Sequence, residues 1–548
     1  MIRLVFVVLY ILVSSAAGRT KENYHSKNHL PLLEITKDAI TDEELHSEYW
    51  NDLAQRTLSE KLKQTISIYN AKNVIFFIGD GMSPQTVAAT RMYLGNENEF
   101  LSFEKFPHLG QAKTYCVNRQ VPDSACTGTS YLSGVKINYG MLNLAASIPR
   151  YTCEYEKSDE TEIDGLMKWA QDAGKATGIV TNTRVTHATP AASYAYIANR
   201  YWEGDQDVIE AKCDPEKTID VARQMIYNEV PKKFNVILGG GRKYFLPQEE
   251  KDEEGYNGIR LDGRNLINEW IDIHSTMGQS KYVWNKAGLN SVDFNKIDHL
   301  LGLFDTNHLL YNLETQKQNL DDTEPSLSEL TEAAIKIMQK NDAGYVLFVE
   351  GGLIDTAHHE AWTRLALDET AEFSRAIARA RELTSLYDTL IVVSSDHGHT
   401  MTYNGNTKRG QDVLGIADIS DLDHLPYTTL SYANGPGYDE TYNPNNPAER
   451  LNVSDLDFTL YNQRYPATVP MNAETHGGED VCVYASGPLS HIFVGNYEQN
   501  TIPYLIAYAS TIGDYQEKSN PDDGGGAGNL HTSLSLLMAL IASIGLLI

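Results

Sequence analysis

The sequence lacks two short motifs that mark common hydrolase sites. In its 548 residues there is neither the nucleotide-binding loop GxxxxGK followed by Ser or Thr, nor the nucleophile elbow GxSxG. These absences remove support for a P-loop nucleotide site and for an α/β-hydrolase serine. Positive charge is also scarce, since 45 basic residues stand against 73 acidic ones and give a net charge of −28. This balance argues against nucleic-acid binding, and an anionic ligand would need local cations at its site.

Cysteine is scarce and widely spaced. The wide spacing fits no zinc-finger pattern. In an oxidising compartment, such a set allows two disulfides and one spare thiol, and the sequence alone does not decide the pairing. The five cysteines are Cys116, Cys126, Cys153, Cys213 and Cys482.

The apolar runs at the two ends are shorter than the roughly 20 residues of a spanning helix. Residues 1–18 predict a secretory signal, because Arg3 precedes an apolar run and small residues follow it. Residues 524–548 combine a polar spacer with an apolar tail, which predicts a removed glycosylphosphatidylinositol (GPI) propeptide with attachment at Asp522 or Asp523. A single-pass anchor is the alternative, but it lacks a basic flank. We expect a GPI-anchored protein on the extracellular face of the plasma membrane, glycosylated at Asn452.

Predicted helices alternate with strands that read as buried on both faces. Such strands are typical of parallel sheets. The alternation of helices and strands shows no interruption that would mark a second domain. The pattern predicts one α/β domain over 19–523, with a doubly wound, mostly parallel central sheet and helices on both faces. The predicted strands are 73–78, 178–181, 234–238, 345–349, 389–393 and 481–484, and the predicted helices are 42–63, 162–173, 216–229, 326–339 and 361–384, with another after Pro84.

Two segments stand apart from this alternation. Residues 403–465 are rich in Asn, Pro, Gly and Tyr, which predicts an irregular, exposed insertion. The apolar residues of helix 42–63 could serve a contact between subunits as readily as core packing.

The stretch from Pro122 to Ser130 predicts a helix that begins near Ser124. Pro122 and Asp123 precede this serine, and small residues follow it, so Ser124 would lie at a helix N-terminus. Backbone N–H groups there favour an anion or a nascent alkoxide. By itself the pattern fits an ordinary helix cap as well as a nucleophile.

Acidic and histidine residues follow the predicted strand ends, where sites form in open α/β sheets. Each has an ordinary explanation, such as a helix cap at Asp80 or a surface pair at Asp355 and His359. Their coincidence at successive strand ends favours a multi-metal centre, in which Asp and His suit zinc and oxygen ligands suit magnesium. We interpret His358 and His399 as supporting or structural histidines. The candidate set is Asp80, His187, Thr189, Glu350, Asp355, His359, Asp396, His397 and His476.

The chemistry that fits this set is displacement at phosphorus. Two cations about 3.5–4 Å apart can stabilise both the entering and the leaving oxygen, and one of them activates a serine hydroxyl such as Ser124. Arg200 could grip two phosphate oxygens with its planar guanidinium, or it could be a helix-end surface arginine.

Blocks along nearly the whole mature chain resemble the signature segments of animal alkaline phosphatases of the membrane-bound type. They are Phe77-Ile78-Gly79-Asp80-Gly81-Met82, Asp123-Ser124-Ala125, Thr183 to Pro190, Phe348-Val349-Glu350-Gly351-Gly352, Ile354-Asp355, His358-His359-Glu360, Ser395-Asp396-His397 and Glu474 to Asp480. The resemblance implies a phosphomonoesterase with an alkaline pH optimum, two zinc ions, one magnesium ion and a covalent phosphoserine.

The resemblance also implies a role for each matching position. Ser124 matches the nucleophile, which also faces a zinc ion. Arg200 matches the phosphate clamp, and His187 matches a residue that contacts magnesium through water. Cys153 and Cys213 match a family disulfide. The remaining ligands would be Asp80, Asp396 and His397 for one zinc, Asp355, His359 and His476 for the other, and Thr189 and Glu350 for magnesium, with Asp80 bridging.

A structural calcium ion and a homodimer are implied in the same way. Phe304, Asp305 and Glu324 resemble parts of the calcium site, and a further glutamate is expected within 248–254. The insertion resembles a crown lobe at the dimer interface, and helix 42–63 resembles an N-terminal arm.

Three positions depart from the family pattern. Cys126 stands where a glycine is usual, Thr356 replaces a histidine, and Cys482 has no recognised partner. None of them removes a ligand.

Two other functions remain open. A sulfatase needs a Cys/Ser-x-Pro-x-Arg setting, which Ser124 lacks, and a phosphodiesterase usually offers threonine and no arginine clamp. A non-catalytic anchored receptor would have lost Ser124 or a zinc ligand, and the sequence keeps both.

Overall fold

The computed structural model describes residues 40–320, 322–443 and 445–516. The predicted signal sequence, the attachment residues Asp522 and Asp523, and the propeptide lie outside these ranges. In the described part of the chain, no helix has both the length and the apolar character needed to cross a membrane.

The core of the molecule is a sheet of ten strands in the order β10-β2-β9-β8-β1-β7-β3-β4-β6-β5. All neighbouring pairs are parallel except those that β9 makes with β8 and β2. The prediction of a mostly parallel sheet is confirmed. The strands are β1 (Asn73–Gly79), β2 (His108–Lys113), β3 (Ala176–Arg184), β4 (Val236–Gly240), β5 (Ser280–Val283), β6 (His299–Leu303), β7 (Tyr345–Gly351), β8 (Thr389–Ser395), β9 (Val481–Ser486) and β10 (Gly495–Glu498).

Helices cover both faces of this sheet, as the doubly wound prediction requires. Alternate side chains of β1 enter separate apolar clusters: Val74, Phe76 and Ile78 join one, and Ile75 and Phe77 join the other. Among the helices are α1 (Ser47–Leu62), α2 (Pro84–Leu94), α3 (Ser124–Ser133), α4 (Leu166–Asp172), α5 (Val221–Tyr227), α6 (Leu266–Ser275), α7 (Leu327–Met338), α8 (Leu353–His359), α9 (Thr363–Leu383) and α10 (Ile502–Ser510). Other helices span Ala188–Ala191, Asp205–Glu210, Glu229–Lys232, Lys286–Asn290 and Asn312–Gln318.

Local sequence signals explain several helix starts. Ser326 caps α7, and Glu329 returns the hydrogen bond in a capping box. The helices predicted over 162–173 and 216–229 begin later, at Leu166 and Val221, since Gly165 and Asp220 occupy their N-cap positions.

The insertion 403–465 is more regular than its composition predicts. It contains the paired strands Ile416–Ile419 and Pro426–Thr428, and it packs its own apolar residues against α2 and α9. Alternation in Leu430-Ser431-Tyr432 buries the two apolar side chains more deeply than the serine, which is the period of a half-buried strand.

The structure settles the cysteine pairing. Cys153 and Cys213 form the predicted disulfide, with Cα atoms 5.5 Å apart. Cys116 and Cys126 form a second disulfide, which leaves Cys482 as a free thiol.

Candidate active site

The sheet register brings three predicted acidic ligands to one edge. Gly79 of β1 lies beside Ser395 of β8, so the next residues, Asp80 and Asp396, are neighbours. Glu350 of β7 pairs with Ile78 of β1 and therefore projects from the same carboxyl end. Carboxyl ends of parallel strands share one edge of a sheet, which is why separate segments converge here.

Ser124 is the first residue of α3. Asp123 occupies the N-cap position and accepts a hydrogen bond from the Cys126 amide at 3.4 Å. Gly128, one turn into α3, allows a close approach, because a Cβ atom there would lie 2.7 Å from the Cβ of Ala192. The helix thereby packs against the segment that carries Thr189.

The Ser124 hydroxyl faces the first acidic group. Its Oγ lies 3.4 Å from Asp80 Oδ1 and 3.3 Å from His397 Nε2. His397 Nε2 in turn lies 3.1 Å from Asp396 Oδ2. Backbone amides fix Asp396, since Gly81 and His397 each donate to its Oδ1 at 2.9 Å. Asp80, Asp396 and His397 thus form one group that could hold a metal ion.

Glu350 and Thr189 lie on the other side of Asp80. The Thr189 hydroxyl donates to Asp80 Oδ2 at 3.2 Å, and the hydroxyls of Thr181 and Thr183 donate to Glu350 Oε2. Glu350 Oε1 is buried without a hydrogen-bond partner among the described residues. A buried carboxylate oxygen without a donor is costly, so this atom fits a cation ligand.

A second group forms around Asp355. His359 follows one turn later in α8, and its Nε2 lies 3.4 Å from Asp355 Oδ2. His476 Nε2 lies 3.4 Å from Asp355 Oδ1, and 3.1 Å from His359 Nε2. The rings of His397 and His476 stack with centroids 3.6 Å apart, which joins this group to the first.

Electrostatics at this edge favour bound cations. Burial raises the pKa of Asp80 well above its usual value, and the charges of Asp355, Asp396 and Glu350 raise it further. Burial also raises the pKa of Glu350 to about 7 and that of Asp396 to about 6. Carboxylates this crowded cannot all ionise without compensating positive charge. The described residues therefore provide suitable metal ligands, with oxygen donors around Glu350 and mixed Asp and His donors elsewhere.

Arg200 supplies positive charge beside Ser124. Its Nη1 donates to Asp123 Oδ2 at 3.0 Å, and its Nη2 lies 3.0 Å from His187 Nε2. Asp123, which appeared in the sequence only as a cap or as part of a motif, therefore also orients the arginine. Burial and the charge of Arg200 hold the pKa of His187 well below its usual range, so that the ring is neutral.

Sequence reasoning missed several supporting contacts. Glu474 Oε2 meets His399 Nδ1 at 2.5 Å, and His399 Nε2 meets Asp355 Oδ1 at 2.7 Å. His358, in contrast, is buried between Thr86 and Tyr432. The sequence does contain a signal for Glu474, which lies two residues before the candidate ligand His476. Thr181 and Thr183 could have been identified because they are polar residues near the end of a buried strand.

Two of the predicted calcium residues, Phe304 and Asp305, directly follow the carboxyl end of β6, farther along the sheet from β1. Glu324 Oε2 accepts from the Leu310 amide at 2.9 Å, and burial raises the pKa of Glu324 to about 8, with the charges of Asp305 and Glu254 adding to the effect. Phe304 is buried beside Asp305. Glu254, which lies inside the expected stretch 248–254, also contacts Arg242.

Comparison with known proteins identifies the family. A family model described as alkaline phosphatase matches residues 71–512. The chain is 42% identical over 506 residues to a membrane-bound alkaline phosphatase of Bombyx mori, and the match covers 90% of each chain. It is 44% identical over 491 residues to the tissue-nonspecific alkaline phosphatase of Gallus gallus, covering 86% of this chain and 91% of the relative.

A solved structure supports the fold. The alkaline phosphatase of Thermus thermophilus aligns with a TM-score of 0.57 at 22% identity, over 83% of this chain and 94% of that chain. The chain described here therefore belongs to the alkaline phosphatase family, the enzymes that hydrolyse phosphate monoesters.

Proposed function

We propose that the chain hydrolyses phosphate monoesters through a covalent phosphoserine on Ser124, at a centre of two zinc ions and one magnesium ion, with an alkaline pH optimum. The position of the Ser124 hydroxyl carries the proposal: Oγ lies at the N-terminus of α3, within 3.4 Å of both Asp80 and His397. A serine that only opens a helix would not require acidic and imidazole groups at its hydroxyl.

The ligand chemistry supports the metal assignment. Asp80, Asp396 and His397 would hold one zinc ion, and Asp355, His359 and His476 the other. Thr189 and Glu350 would hold magnesium together with Asp80, and Glu350 Oε1, which has no hydrogen-bond partner among the described residues, is available as a ligand atom. When bound, the cations would neutralise the crowded carboxylates, favour the Ser124 alkoxide and stabilise the leaving oxygen.

Arg200 binds the phosphoryl group in this mechanism. Its guanidinium is held by Asp123 on one side and meets His187 on the other, so its plane is fixed before substrate arrives. A fixed planar fork can donate to two phosphate oxygens at little entropic cost. Burial lowers the pKa of His187, so its ring is neutral and adds no positive charge beside Arg200.

Two displacements at phosphorus complete the reaction. Ser124 Oγ attacks phosphorus in line with the ester oxygen, the P–O bond to the alcohol breaks, and the proton lost by the Ser124 hydroxyl ends on the departing alcohol. Water then attacks the phosphoserine from the vacated side, which releases inorganic phosphate and regenerates the Ser124 hydroxyl. The partial positive charge at the N-terminus of α3 favours the alkoxide in both steps.

We propose that calcium binds where Asp305, Glu324 and Glu254 converge, with Phe304 as part of that site. The raised pKa of Glu324 supports this assignment, because a cation would remove the cost of ionising a buried carboxyl group beside other acids.

We also propose a homodimer that is attached to the extracellular face of the membrane by a GPI anchor. Helix α1 has no buried residue, and its Trp50 and Leu58 are 49% and 51% exposed. Apolar side chains gathered on an exposed helix call for a partner surface. Light scattering of the full chain and of a chain lacking 42–63 would test the dimer, and release by a phosphatidylinositol-specific phospholipase C would test the anchor.

Hydrolysis of p-nitrophenyl phosphate at alkaline pH tests the proposed reaction. Chelation should abolish activity, zinc should restore it, magnesium should increase it further, and the Ser124→Ala variant should remain nearly inactive. Full activity without metal, or in the variant, would contradict the mechanism. Preference for bis(p-nitrophenyl) phosphate or p-nitrophenyl sulfate would instead indicate a diesterase or a sulfatase, and inactivity under every condition would indicate a receptor.

A further inference from the structure

A cleft opens from the centre on the side where the alcohol would leave. It has a volume of about 800 Å³, and His359 and His476 lie in its lining. Its other lining residues come from the segment 470–475, from Tyr139, and from the loop that precedes Ser124, where Arg119, Val121 and Pro122 contribute. A substrate whose phosphoryl group reaches Ser124 would place its alcohol in this cleft.

Arg119 is an exposed cation in the cleft lining. Its Nη1 donates to the backbone oxygen of Asn118 at 3.2 Å, and no carboxylate of the described residues pairs with it. The lining contains one acid, Glu474, whose oxygens are already bound to His399 and Thr400. The net charge of the chain is −28, so the positive charge exposed in this cleft is opposite in sign to the net charge of the protein.

Covalent and hydrogen bonds fix Arg119 relative to the nucleophile. The Cys116–Cys126 disulfide closes the loop and joins it to α3, two residues after Ser124. The Cys116 amide donates to the Arg119 carbonyl at 3.0 Å, and the Tyr139 amide donates to Asn118 Oδ1 at 2.9 Å. Both cysteines are buried, so the backbone that carries Arg119 is anchored in the core while its side chain reaches solvent.

We propose that Arg119 is a specificity-determining residue that favours phosphate monoesters whose alcohol carries a negative charge. The inference rests on the proposed function, because it takes the side of His359 and His476 as the exit of the alcohol. An exposed guanidinium on an anchored backbone raises the local concentration of anionic substrates and pairs with a carboxylate or a second phosphate on the departing group.

Matched substrates test this inference. Phenyl phosphate and 3-carboxyphenyl phosphate have leaving groups of similar pKa but differ by one negative charge. The Arg119→Gln variant should lower kcat/KM for the carboxylated substrate by about two- to fivefold, the range of an exposed ion pair, and leave phenyl phosphate unchanged. The Arg119→Lys variant should keep most of the preference, and Lys157→Gln, an exposed cation outside the cleft lining, should keep all of it. Salt should reduce the wild-type preference as the Debye length shortens.

The outcomes separate this inference from the proposed function. Equal losses for both substrates in Arg119→Gln, or no loss for either, would overturn the inference while the phosphomonoesterase reaction stands. Phenyl phosphate hydrolysis that survives in Ser124→Ala, or is absent from the wild-type protein, would overturn the proposed function and the inference with it.

Discussion

Asp80 Oδ1 lies 3.4 Å from the Ser124 hydroxyl oxygen, and Asp80 is completely buried. Its other oxygen accepts a hydrogen bond from Thr189 at 3.2 Å. One carboxylate therefore contacts the candidate nucleophile on one side and the candidate magnesium residues on the other. This arrangement follows from the register of β1 between β7 and β8, which places Asp80 between the groups that those strands carry.

Because Asp80 lies between the two candidate metal groups, its substitution should reduce the binding of both metals. Asp80→Asn should lower the content of both zinc and magnesium, because the residue serves both groups. We expect kcat/KM for p-nitrophenyl phosphate to fall by at least about 100-fold, more than for residues that merely orient a ligand. Elemental analysis together with kinetics checks this, and a variant with full metal content and activity would show that Asp80 is not a ligand.

Substitution of Glu350 should give a narrower defect. Glu350→Gln is expected to remove magnesium stimulation while zinc content stays unchanged, since Glu350 contacts Thr181 and Thr183 and lies outside both zinc groups. Glu372→Gln is the matched control. Glu372 is a buried glutamate of α9 that accepts hydrogen bonds from Ser328 and Arg375 and belongs to none of the candidate metal groups. Zinc loss in Glu350→Gln, or retained magnesium stimulation, would contradict the assignment.

The sequence predicts the centre of the sheet better than its edges. β1, β7 and β8 are continuous apolar runs because both of their faces are covered, and the acids that follow them are visible for the same reason. β2 and β10, at one end of the sheet, include Gly and Lys or Glu among few apolar residues, so no apolar run marks them. The pairing of Cys116 with Cys126 depends on how a loop folds back onto α3, and residue spacing does not encode that path.

Contacts between side chains that are far apart in the sequence could not be predicted either. Glu474 reaches His399 across 75 positions of sequence, and only the fold brings them together. Asp123 reaches Arg200 in the same way, although each residue was visible in its own segment. Candidate ligand residues at strand ends can be recognised in the sequence, but the residues that orient them cannot.

Arg200 should govern phosphate binding more than turnover. Arg200→Ala is expected to lower kcat/KM by about 10- to 100-fold, the cost of losing charge-assisted hydrogen bonds, and to weaken inhibition by inorganic phosphate in parallel. Arg200→Lys should recover part of the affinity, because it restores the charge without the planar fork. Arg223→Ala removes a surface ion pair with Glu216 and serves as the control. Unchanged phosphate inhibition in Arg200→Ala would contradict the clamp.

Glu369 should make stability depend on pH. Burial raises the pKa of Glu369 to about 8, so the folded protein keeps a proton that the unfolded chain releases near pH 4.3. Folding stability contributed by this group is therefore lost as pH rises from about 4.5 to 8. Relative to wild type, Glu369→Gln should gain about 2–4 kcal/mol in free energy of unfolding between pH 5 and 8.5.

Denaturant unfolding at both pH values measures this gain. Glu332→Gln provides the control, because Arg379 lowers the pKa of Glu332 to about 2 and keeps it ionised over the whole window. The difference between Glu332→Gln and wild type should be the same at both pH values. A constant difference for Glu369→Gln as well would show that the folded protein does not retain this proton.

A covalent phosphoserine on Ser124 is the central claim, and acid-quenched labelling tests it most directly. The protein, loaded with zinc and magnesium, is mixed with a phosphate monoester carrying radiolabelled phosphorus, quenched in acid and digested. We predict that the label is found on the peptide that contains Ser124 and is absent from Ser124→Ala. A labelled peptide elsewhere, or full turnover with no label under conditions that trap phosphoserine, would contradict the account.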